Sequence, residues 1–177
     1  YEEFEDAGKY DDLIFISPSN INSEFTKNII SVGVSLESQL LSLVNFIEKK
    51  KKNKTLIMFP KNQYSELIEK QIKKLDINFF KKFIYSPNPE ILTGEIEILT
   101  NYSQRKRSLE LRKKMFQDKE DEQSIKEMGR LEQLYTLGGV NFDSVIIVDF
   151  GNSLKSVLTS LVYTDVNQQN VLFTTIN

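Results

Sequence analysis

The side chains able to do chemistry in this sequence are hydroxyls, carboxylates, amides and cations, because its 177 residues include no histidine and no cysteine. Those two absences exclude an imidazole base, a histidine-ligated metal, a thiol nucleophile, a disulfide and a cysteine-type zinc site. Asp143, Asp149 and Asp165 stand singly at the ends of apolar runs, where an aspartate serves as a cap or a turn residue more often than as a Mg²⁺ ligand. Neither a metal nor a cofactor is expected. The sequence contains no G-x-S-x-G, no G-x-x-x-x-G-K-[ST] and no G-x-G-x-x-G, so the usual hydrolase and nucleotide-binding signatures are missing. The chain reads as non-catalytic.

What remains is a set of polar residues placed just after apolar runs. Ser17, Ser19 and Asn20 follow Leu13 to Ile16, Asn62 and Tyr64 follow Thr55 to Phe59, and Asp149 closes Ser144 to Val148. In open parallel α/β sheets, ligands bind beyond the carboxyl ends of the strands. Ser17 to Asn20, Pro60 to Tyr64, Asp149 to Gly151 and Thr174-Thr175 are therefore the segments where a site is expected.

The elements that must hold these segments follow from periodicity. Leu13 to Ile16 is a short β-branched and aromatic strand stopped by Pro18, and Asn28 to Val34 is a second extended segment. Ser35 offers a capping oxygen to a helix with apolar positions at Leu36, Leu40, Leu43, Val44 and Ile47, and Glu37 suits its first turn. The basic run Lys49 to Lys52 falls at that helix's carboxyl end and reads as a solvated terminus. Thr55 to Phe59 is a continuous apolar run suited to a strand covered on both faces. Asn62 is expected to cap a helix with Tyr64, Leu67, Ile68, Ile72 and Leu75 inward, followed by a strand over Ile77 to Tyr85.

From Pro89 to about Tyr135 the pattern is helical. Ile91, Leu92, Ile96, Leu99 and Tyr102 give one face, and a charge-dense stretch, Arg105 to Glu132, breaks near Asp118 to Asp121. That stretch reads as a solvated helical hairpin laced with i,i+4 ion pairs. A turn at Gly138-Gly139 leads to a buried strand, Ser144 to Asp149. A helix follows with Leu154, Val157, Leu158 and Leu161 inward, then a last strand, Val171 to Thr175. The alternation predicts an α/β fold: a mainly parallel open sheet with helices on both faces and a charged helical hairpin inserted at about residues 103–135. With 23 basic and 25 acidic residues the net charge is −2, so no overall field draws the chain to nucleic acid. No apolar run reaches the roughly 20 residues needed to cross a bilayer.

The order of short motifs resembles that of a known superfamily. Ile16-Ser17-Pro18-Ser19-Asn20, then Ile29-Ile30-Ser31-Val32-Gly33-Val34-Ser35 with Glu37 and Gln39, is similar to the type I periplasmic-binding-protein pattern; so is Thr55 to Phe59 with Pro60, Asn62 and Tyr64. Arg130-Leu131-Glu132, Thr136-Leu137-Gly138, Phe142-Asp143-Ser144-Val145, Gly151, Tyr163, Asp165-Val166 and Phe173-Thr174-Thr175 resemble its penicillin-binding-protein-activator branch. The resemblance implies a fragment of a longer two-lobed protein, with residues 1–34 ending lobe one and 35–177 forming most of lobe two. It implies a periplasmic protein, lipid-anchored in its parent form, that regulates a peptidoglycan synthase by protein–protein contact. The alternative it implies is a solute receptor for an amino-acid transporter, with an amino-acid-like ligand held by Ser17, Ser19 and Tyr64.

Overall fold

The computed structural model describes residues 12–17 and 28–176. Two short strands, β1 (Phe15–Ser17) and β2 (Ile29–Ser31), pair in parallel as a sheet of their own. The larger sheet has four strands, β3 (Thr55–Pro60), β4 (Lys81–Tyr85), β5 (Ser144–Ile147) and β6 (Leu172–Thr175), in the order β4-β3-β5-β6 and all parallel. Six helices occur among the described residues: α1 (Leu36–Lys49), α2 (Ser65–Lys74), α3 (Pro89–Leu99), α4 (Tyr102–Phe116), α5 (Glu122–Glu132) and α6 (Gly151–Tyr163). The chain is thus α/β, with a parallel sheet and the expected alternation.

Period-two alternation in β3 assigns the layers. Ile57 and Phe59 face α1 and α2, packing with Ile146, Val148, Leu36, Leu40, Ile47 and Ile68. Leu56 and Met58 face α3 and α6, packing with Val145, Ile147, Leu92, Ile96, Val157 and Leu161. All four β5 residues are buried, which explains why Ser144 to Val148 is unbroken by exposed polar positions.

Caps fix where helices begin. Ser35 accepts the Ser38 N–H at 3.2 Å to start α1, and Asn88 accepts the Glu90 N–H at 3.0 Å ahead of Pro89, which is pre-set for the first helical turn. Asp121 accepts the Ser124 N–H at 3.0 Å and so opens α5 just past the anticipated break. Helix ends share another device. Lys51, Asp76, Asn101 and Asp165 have φ between 50° and 59° and directly follow the carboxyl caps of α1, α2, α3 and α6. After α6 the turn closes with Asp165 N–H to Val162 O and Val166 N–H to Leu161 O, both 2.9 Å, the paired bonds of a Schellman motif.

Several expectations need correction. Asn62 does not cap α2: the cap position is Tyr64, without a side-chain bond, and Asn62 Oδ1 accepts the Tyr64 N–H at 2.9 Å in an Asx turn one step earlier. β4 starts at Lys81 rather than Ile77, because the left-handed residue Asp76 leaves the chain turning until the Phe80 N–H reaches Thr55 O. Leu158 and Ile91 lie on exposed faces of their helices. The charged stretch is a helical hairpin, α4 and α5, but it is not solvated throughout: Arg105, Leu109, Ser124 and Leu131 are buried at its root.

Candidate functional site

β4 lies on one side of β3, while β5 and β6 continue on the other. The strand order therefore reverses between β3 and β5, and the loops leaving these two strands diverge to opposite faces. That divergence opens a crevice at the carboxyl ends. A cavity of about 320 Å³ lies there, lined by Leu36, Pro60, Asn62, Tyr64, Leu67, Ile68, Val148, Asp149, Phe150 and Ile176. Its walls are mostly apolar, with polar groups from the β3–α2 turn and the end of β5, the composition of a small-molecule pocket.

Asp149 is the charged group at this site, only 5% exposed. Its Oδ2 accepts the hydroxyls of Tyr85 and Ser153, and its Oδ1 accepts the Phe150 N–H at 2.8 Å. A carboxylate offers about four acceptor positions, and these three donors fill all but one of them. Burial pushes the Tyr85 hydroxyl well above its ordinary value, and the adjacent carboxylate raises it further. Tyr85 is therefore a fixed donor that orients Asp149. Phe150 stands 70% exposed at the rim, in extended conformation ahead of Gly151, whose φ of 62° an L side chain disfavours.

Of the residues singled out from sequence, Asn62, Tyr64 and Asp149 meet in this one cavity. Ser17 lies in β1, while Ser19 and Asn20 fall outside the described residues. Thr174 and Thr175 are at the far edge, donating their hydroxyls to Val145 O and Ile147 O. Phe150 falls within the expected Asp149 to Gly151 segment, whereas sequence reasoning missed Tyr85. The spacing that could have found Tyr85 is its place at the end of a strand adjoining the switch point, level with Pro60 in the register.

The other carboxylates act on backbone. Asp143 accepts the N–H groups of Asn53 and Lys54 at 2.9 and 3.1 Å, tying the turn before β3 to the start of β5. Burial works to raise its carboxyl, but these bonds, with the Ser144 hydroxyl and Lys52, hold it below the ordinary value. Asp165 belongs to a polar cluster around Arg105 at the opposite end of the sheet. Arg105 donates to Gly138 O (2.9 Å), Thr164 O (3.0 Å) and Thr136 Oγ1 (2.7 Å), and Thr136 in turn donates to Asp165. No cluster of potential metal ligands occurs among the described residues, nor any helix long and apolar enough to cross a membrane.

No family model, curated protein or solved structure matches the chain.

Proposed function

We propose that this chain is a non-catalytic binding module, a lobe of the type I periplasmic-binding-protein kind, whose cavity between β3 and β5 takes a small amino-acid-like ligand. The observation that carries this reading is the meeting of Asn62, Tyr64 and Asp149 at the strand-order reversal. The apolar wall of Leu36, Leu67, Ile68 and Ile176 suits an aliphatic or aromatic body. Asp149 is the one acidic residue in the lining and is the partner this reading assigns to a donor such as an ammonium group. Solute reception in the periplasm, by a protein lipid-anchored in its parent form, is the setting that agrees with this chemistry.

Thermal-shift screening against amino acids tests the reading. A ligand at 100 times its dissociation constant adds about 2.7 kcal/mol, which for a domain of this size raises Tm by roughly 5–10 °C. Asp149→Asn should abolish that rise, and a flat response of the unmodified chain across the panel would contradict the proposal.

A second reading has one observation in its favour: regulation of a peptidoglycan synthase by protein contact. On α4, Arg107, Leu111, Lys114 and Met115 all lie exposed on the side away from buried Arg105 and Leu109, a basic and apolar face suited to a protein partner. Co-purification with a synthase that is lost in Leu111→Ser/Met115→Ser would support it, and retention by that variant would count against it.

A further inference from the structure

The two edges of the four-stranded sheet are built differently. β4 carries Lys81 and Lys82, with Lys82 Nζ 2.6 Å from Glu69, and charged side chains on an edge strand oppose pairing with another strand. β6 carries none: Val171 to Ile176 is Val-Leu-Phe-Thr-Thr-Ile, and among the described residues no strand lies outside it. The Leu172 N–H bonds inward to Asp143 O at 3.0 Å. Alternation then turns Thr174 toward β5 as well, and directs the backbone N–H and C=O of Phe173 and Thr175 outward.

Beside this edge runs an open groove of about 730 Å³ between β6 and α6, lined by residues that include Leu154, Leu158, Val162 and Phe173 and bordered by Asn167, Gln168 and Gln169. No lining residue is charged. Leu154, Leu158 and Val162 recur at i, i+4 and i+8 and form a stripe on α6, with Val162 64% exposed. A helix face of that kind next to an unpaired strand is an incomplete layer.

We propose that β6 pairs antiparallel with β6 of a second copy of this chain, joining two four-stranded sheets into one continuous sheet. A two-fold axis perpendicular to the sheet near Thr174 sets Phe173 opposite Thr175 of the second copy, so the outward backbone groups satisfy each other. The same axis brings both α6 helices onto one face, where Leu158 and Val162 meet their counterparts over the joined strands. Self-pairing sets residues of one strand against residues of the same strand. A charged strand would then oppose like charges, as Lys81 and Lys82 would, and β6 brings none together. The net charge of −2 adds little long-range repulsion.

Sedimentation velocity of the full 177-residue chain over a wide concentration range tests this. The expected result is a dimer whose mass halves in Val162→Glu, a substitution at an exposed site. It should halve also in Thr175→Pro, which deletes an outward N–H, but not in Thr175→Val, which loses only the hydroxyl bond to Ile147 O on β5. Unchanged circular dichroism separates loss of pairing from loss of folding, and Lys82→Ala on the other edge should stay dimeric. A monomer at all concentrations would overturn the proposal, as would a dimer that persists in both edge variants.

Discussion

The parallel sheet holds one buried charged group at each end, and the two differ in what lies beside them. At the amino ends of the strands, Arg105 is 7% exposed and spends its donors on three carbonyls and a hydroxyl, with Asp165 3.8 Å away. At the carboxyl ends, Asp149 is equally buried but is among the residues that line a cavity. The first arrangement spends four of the five guanidinium donors on the chain itself and ties α4, the Gly138 turn and the α6–β6 connection together. The second combines a fixed carboxylate with an adjoining cavity, which is what a binding site requires.

Substitutions should separate these roles. The largest effect is expected at the amino end. Arg105→Met leaves Thr136 and three backbone carbonyls without their donor and Asp165 without its cation, and removing one member of a buried charged cluster costs about 3–5 kcal/mol. Urea unfolding should show that loss, while ligand response, if the chain still folds, stays intact. At the carboxyl end, Asp149→Ala strands the buried Tyr85 hydroxyl at a cost of about 1–3 kcal/mol, and it should abolish ligand response as well. An Arg105 variant that lost ligand response with little loss of stability would break the comparison.

Phe150→Ala sharpens it further. An exposed side chain at the rim contributes within about 0.5 kcal/mol to folding, so the melting temperature of the free chain should hold while the ligand-induced rise shrinks. The smallest effect concerns acid. Asp143 titrates lower in the folded chain than when unfolded, so its contribution is full above the ordinary aspartate range and is lost as pH falls through the folded value. Asp143→Asn should remove that share of the acid sensitivity, read by denaturation at a series of pH values. A pH profile unchanged by the substitution would contradict the assignment.

The layers were legible because they depend on local patterns. Thr55 to Phe59 is an apolar run long enough for one strand, and Ser35 is a capping signal that acts within three residues. Arg105 was not legible. It sits in a stretch rich in Lys, Arg and Glu, and its burial is decided by acceptors at Thr136, Gly138, Thr164 and Asp165, from 31 to 60 residues away. No periodicity marks one arginine among many as inward. Asn62 shows a local rule applied at the wrong step: the Asx turn it forms competes with a helix cap for the same side-chain oxygen. At the site, Asn62, Tyr64 and Asp149 were reachable because strand carboxyl ends predict where ligands go. Phe150 came with the segment after β5, but Tyr85 depended on the strand order, which fixes which ends are neighbours.

Amide chemical-shift mapping on the ¹⁵N-labelled chain, titrated with the amino acid that gives the greatest thermal shift, tests the central claim most directly. The account predicts perturbations concentrated at Asn62, Tyr64, Phe150 and Gly151, with the amides of Arg105, Thr136 and Asp165 unmoved. Perturbations centred on the Arg105 cluster, or none at saturating ligand, would contradict it.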